Sequence, residues 1–191
     1  ESRQKSFSGR DSYFSGNVKF FITKPGANKI RILPPTWDDA KHYGHDIFVH
    51  YGIGPDNVGY LCLDRMSGEK CPLCEARSEA DRQGEEDLAK ALRATRRVAV
   101  YVIDRNAESE GPKVWAMPQT VDKEICAQAW DKETGEVYAL DNPDEGYDVA
   151  TVGSGREALD LLPEVQPALA LLDIAMPDMD GIETLKRLKE T

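Results

Sequence analysis

The sequence predicts a mixed fold: mainly β, as a small Greek-key barrel with a helical insertion, followed by a short β-α-β-α segment. Three observations point there. Short apolar runs recur along the first two-thirds of the chain, separated by turns rich in Gly, Pro, Asn and Asp. One helix-forming stretch, Pro72 to Leu92, interrupts them. After Tyr147 the texture changes to strand-helix-strand-helix, the pattern of a parallel α/β unit.

Each element has a local reason. Residues 1 to 17 are rich in Ser, Gly and charge and read as a flexible arm. Val18 to Ile22 reads as a strand, and Thr23-Lys-Pro-Gly-Ala-Asn28 as a turn. Lys29-Ile-Arg-Ile-Leu33 alternates polar and apolar residues, and Pro34 and Pro35 stop it. Asp46 to Tyr51 and Gly59 to Leu63 are further strands. Gly84 divides the helical stretch. Arg97 to Ile103 reads as a largely buried strand, Val114 to Met117 as a short one, and Val121 to Trp130 as a helix. Lys132 to Gly135 turns into a strand over Glu136 to Leu140. Tyr147 to Val152 and the continuous apolar run Ala168 to Ile174 read as strands, each followed by a helix: Gly155 to Leu162 and Ile182 to Lys189. The expected organisation is an arm (1–17), a β-rich domain (18–149) and a partial α/β segment (150–191).

Composition narrows the function. The 191 residues carry 24 Lys+Arg against 34 Asp+Glu, a formal charge of -10. A generally basic nucleic-acid binder is excluded, so any such contact needs a local cationic groove. No apolar run approaches the roughly 18 residues of a membrane span. Glu1 to Gly16 lacks an apolar signal core, so a cytoplasmic protein with no membrane partner is expected.

Cys71-Pro-Leu-Cys74 is a knuckle in which two thiolates can chelate one tetrahedral ion. Cys62 precedes it by nine residues and His50 lies twelve further back. Three Cys and one His make a closed structural zinc set with no open position for chemistry, so no enzyme is expected. His42 and His45 are alternative fourth ligands. His50 is preferred because it lies nearest Cys62 on the better strand. Cys126 stands alone and reads as a small buried apolar residue.

The segment from about Lys19 to Asp148 resembles the zinc-containing single-stranded DNA-binding proteins of T-even-type phages. The resemblance rests on Lys29-Ile-Arg-Ile-Leu-Pro-Pro35, on His50-Tyr-Gly-Ile-Gly-Pro55, on the His/Cys/Cys/Cys order, and on the strand from Arg96-Arg97 to Asp104-Arg105. It implies an OB-type fold whose zinc ties an insertion to the barrel. It also implies sequence-independent coating of single strands in replication, recombination and repair, contact with replication or recombination proteins, self-association along DNA, and location in a bacterial host cell. Single-strand binding needs cations for phosphates and aromatic faces for bases. The chosen contacts are Arg31, Trp37, Tyr43, Arg96 and Arg97.

Leu171-Leu-Asp-Ile-Ala-Met-Pro-Asp-Met-Asp-Gly181 resembles the phosphoacceptor strand and loop of bacterial response-regulator receiver domains, and Gly155-Arg-Glu-Ala-Leu159 the helix before it. By position Asp173 is the phosphoacceptor, with Mg²⁺ required only if the segment is active. An isolated carboxylate does not readily gather Mg²⁺ and stabilise a transferring phosphoryl group, so Asp173 is expected to be a remnant. The sequence thus reads as a junction near Gly146-Tyr147-Asp148-Val149. Zinc-stabilised protein interaction is a further reading.

Overall fold

The computed structural model describes residues 18–38, 40, 42–130, 134–135, 137–165 and 179–190. Along the chain run β1 (Asn28–Ile32), β2 (Gly44–Ile53), β3 (Val58–Leu61), α1 (Leu63–Ser67), α2 (Pro72–Gln83), α3 (Glu86–Ala91), β4 (Ala94–Asp104), β5 (Lys113–Pro118), α4 (Gln119–Gln128), β6 (Asp148–Thr151), α5 (Gly155–Val165) and α6 (Gly181–Glu190). The strands form an open sheet of order β3-β2-β4-β1-β6, with β5 also pairing with β4. The β1–β4, β1–β6, β2–β3 and β2–β4 pairs are antiparallel. β3 and β6 end the path, and among the described residues no pairing joins them. The expected closed barrel is therefore replaced here by an open sheet.

Two compact units divide the chain. The first holds residues 44–100 and 114–119. Here β2 meets β4 in regular register from Gly44 opposite Val100 to His50 opposite Ala94. Ile47, Val49, Val98, Val100 and Met117 are buried, which is the burial that drives the pairing. Between β3 and β4 the chain leaves the sheet through α1, α2 and α3. Pro72 opens α2 at a position where its missing N–H is no loss. Gly84 closes it in the left-handed conformation (φ 76°), where a Cβ would be strained, and the next helix starts two residues later.

The second unit holds residues 21–43, 101–113 and 120–191. β1 lies between the end of β4 and β6, with Ile30 opposite both Asp104 and Val149. Ile30 and Ile32 are buried, and Arg31 points to the opposite face. Its guanidinium turns back along that face and donates to the carbonyls of Gly146 and Asn142. Gly146 is needed there: an added Cβ would lie 2.6 Å from Asn142 O and 2.8 Å from Leu140 O. Asp148 receives Arg105 at 2.9 Å, and Arg105 also pairs with Glu108 at 2.9 Å. Lys113 is buried between Asp104 (3.1 Å) and Glu110 (2.8 Å).

The α5 start is a reciprocal cap. Ser154 Oγ accepts the Glu157 N–H and the Glu157 carboxylate accepts the Gly153 N–H. Asp180 caps α6 from one side, its carboxylate accepting the Glu183 N–H at 2.7 Å.

Several expectations differ from the structure. Val18 to Ile22 supplies one parallel bridge, Phe20 to Val114, rather than a strand. Val137 likewise makes one bridge, with Trp130. Leu63, expected to end a strand, opens the helix Leu63–Ser67 instead. β6 pairs antiparallel with β1 instead of opening a parallel sheet. The apolar run Ala168 to Ile174 lies outside the described residues.

Candidate metal centre

His50, Cys62, Cys71 and Cys74 come together with all their ligand atoms within 4.8 Å of one another. The local structure explains how. Cys62 ends the β3 side and caps α1, its N–H held by Phe48 O at 2.8 Å. Cys71 caps α2, and Cys74 sits in the first turn of that helix. His50 rises from β2 on the same face as Phe48 and Asp46. Its Nδ1 donates to Leu92 O at 2.7 Å, which leaves Nε2 facing the Cys71 and Cys74 sulfurs and able to serve as a ligand. His45 and His42 are exposed and stand outside the cluster.

The spacings suit a tetrahedral ion. Zinc–sulfur bonds of about 2.3 Å and zinc–nitrogen bonds of about 2.0 Å place sulfurs roughly 3.8 Å apart and sulfur and nitrogen roughly 3.6 Å apart. Cys62 and Cys74 sulfurs lie 3.4 Å apart, and His50 Nε2 lies 3.5 Å from Cys71 Sγ and 3.7 Å from Cys74 Sγ. The electrostatics also call for a cation. Burial acts to raise the Cys71 thiol, but backbone N–H groups of Cys74, Leu73 and Leu63 outweigh it and draw it down to about 6. Burial, with hydrogen bonds and charge from Cys62 and Cys71, pushes Cys74 up to about 12. Neighbouring sulfurs thus work against a thiolate at Cys74, and a bound dication would favour it.

Of the expected DNA contacts, Arg96 and Arg97 belong to the first unit and Arg31, Trp37 and Tyr43 to the second. Arg96 and Arg97 are neighbours on β4 and so point to opposite faces; Arg96 stands opposite Phe48 and Arg97 opposite Ile47. Arg96 chelates Asp46 with two hydrogen bonds on the face that bears His50. Arg97 lies over the Tyr51 ring, 5.5 Å from its centroid, on the other face. Arg31 is bound to the Asn142–Gly146 turn, with its side chain 11% exposed. Tyr43 is buried and donates to Asp122 at 2.9 Å, because an aromatic ring beside the α4 helix is stabilised by burial rather than by display. Trp37 is half-buried in a bend. Asp173 lies outside the described residues. Arg65, on α1, lies over the Phe48 ring of β2, its guanidinium 4.3 Å from the centroid.

Comparison with known proteins concerns the C-terminal segment. The Response regulator receiver domain family matches residues 136–191. The chain is 49% identical over 45 residues to Sporulation initiation phosphotransferase F of Bacillus subtilis, covering 24% of this chain and 36% of that protein. It is 36% identical over 59 residues to the DNA-binding response regulator MtrA of Mycolicibacterium smegmatis, covering 31% and 26%. It is 49% identical over 43 residues to a protein-glutamate methylesterase/protein-glutamine glutaminase of Trichodesmium erythraeum, covering 22% and 12%. The chain thus spans between about an eighth and just over a third of these relatives. The His/Cys cluster lies outside the matched residues. No helix among the described residues is long and apolar enough to cross a membrane. The similarity to receiver domains describes residues 136–191, which include β6, α5 and α6.

Proposed function

We propose that the C-terminal segment is a receiver-type signalling segment in which Asp173 accepts a phosphoryl group with Mg²⁺ bound. The observation that carries this reading is the receiver-domain match over residues 136–191. The apolar run before Asp173 and the acidic Asp178 and Asp180 after it belong to the same matched stretch. Incubation with acetyl phosphate and Mg²⁺, read by intact mass, tests it. A gain of about 80 Da, the mass of HPO₃, that Asp173→Asn abolishes is the expected result. No adduct on the wild-type chain refutes it and leaves Asp173 as a remnant.

A second reading concerns the first unit, and the metal cluster favours it. There the four ligands hold zinc, and the zinc fastens the Leu63–Ala91 excursion to β2. The unit so fastened binds single-stranded nucleic acid without sequence preference. Arg97 over Tyr51 offers a cation beside an aromatic ring, the pairing that phosphates and bases require. Arg96 is held by Asp46 and contributes to the fold instead. Titration with poly(dT) at low salt, followed by Trp fluorescence, is the test. Binding that weakens steeply with salt is expected. No binding at low salt by the metal-loaded chain refutes the reading and leaves a zinc-stabilised protein-interaction module.

A further inference from the structure

The four ligands differ in what reaches them. His50, Cys62 and Cys71 are buried, whereas Cys74 is partly open to solvent. Cys74 also has the Cys62 sulfur 3.4 Å away, poised on the buried side. An accessible thiolate with a second sulfur in reach is the arrangement in which oxidation at one sulfur is resolved by the other.

We propose that Cys74 is an oxidation site through which peroxides expel the metal, with Cys62 as the resolving thiolate. This rests on the reading of the cluster as a metal centre. The Cys74 thiolate attacks one peroxide oxygen, the O–O bond breaks, and hydroxide leaves a sulfenic acid on Cys74. The Cys62 thiolate then attacks the Cys74 sulfur, the S–O bond breaks, and a second hydroxide departs as the disulfide forms. The two sulfurs together lose two electrons and the peroxide gains two, with two protons from solvent completing two waters. Only Cys71 and His50 then remain as ligands, too few to hold the ion. The excursion through α1, α2 and α3 loses its fastening to β2, and Cys62 and Cys74 are joined across that same excursion.

The test uses the full chain loaded with zinc. Zinc content is measured first. Less than about half an equivalent per chain means that the metal reading itself fails, and the oxidation proposal falls with it. With zinc bound, hydrogen peroxide is added while released zinc is followed with a chromophoric chelator and cross-links are mapped by peptide mass. Zinc release in step with a Cys62–Cys74 cross-link, reversed by dithiothreitol and zinc, is the expected result. Cys126→Ser should release zinc at the same rate, because that exposed thiol is not a ligand. Zinc retained while only Cys126 is oxidised overturns the proposal. So does zinc release with a Cys71–Cys74 cross-link.

Discussion

Stripping the metal should melt the excursion between β3 and β4 while the sheet persists. The three helices there have 5, 12 and 6 residues, each at or below the roughly 12–15 residues at which isolated helices become marginal in water. They bring little core of their own. α1 has no buried residue, and α2 and α3 bury one alanine each, Ala80 and Ala89. Burying two methyl groups contributes only about 1.6 kcal/mol, at about 0.8 kcal/mol each. An ion held by the four side chains would therefore be the main fastening. The remaining helices have 10, 11 and 10 residues, so loss of the excursion removes about two-fifths of the described helical residues. Circular dichroism at 222 nm, before and after a chelator, should show a fall of that proportion, restored by zinc. An unchanged spectrum and thermal melt, with metal content shown to be near zero, would refute the reasoning.

Other outcomes follow from single contacts. Lys113→Met should destabilise by about 3–5 kcal/mol in denaturant titration, because it strands the buried Asp104 carboxylate with the Asn106 N–H as its remaining donor. Burial works against the Lys113 charge, yet the hydrogen bonds and charges of Glu110 and Asp104 outweigh it and raise its pKa. A raised folded value means stability that is full below the unfolded lysine value near 10.4 and lost as pH climbs through the folded one. The wild-type melt should therefore hold to about pH 10 and fall above it, a fall that Lys113→Met should lack. Gly146→Ala should cost about 1–3 kcal/mol by denaturation, since the new Cβ meets the carbonyl oxygens of Leu140 and Asn142, the latter of which Arg31 also binds. If the first unit binds single strands, Arg97→Ala should lower the salt slope of poly(dT) binding by about one, and Arg96→Ala should leave that slope unchanged.

The metal site was legible because its information is local. Cys71 and Cys74 are two residues apart, and Cys62 borders the same excursion. His50 was preferred over His45 for its nearness to Cys62; the structure adds that the two, five positions apart, face opposite sides of β2. β1 and most of β4 were legible from alternation and from continuous apolar character. The ion pairs were not. Arg31 meets the 142–146 turn more than a hundred residues away, and Arg105 meets Asp148 forty-three residues on. No periodicity encodes such partners. Tyr43 was misplaced for the same reason: its polar surroundings in sequence suggested display, whereas α4 supplies its burial and its acceptor, Asp122.

β6 carries a consequence for anyone who would divide this molecule. Its four residues belong by sequence similarity to the receiver-like stretch and by hydrogen bonding to β1. Arg105 grips Asp148 on that strand, so the attachment is ionic as well as through the backbone. A cut at residue 136, where the similarity begins, would expose the N–H and C=O groups of β1 as a bare edge. The orphaned strand would recruit whatever extended chain it met, including another copy of itself. Where sequence similarity begins along this polypeptide, the hydrogen bonding does not break, and fragments should be drawn by hydrogen bonds instead of by the edge of a family match.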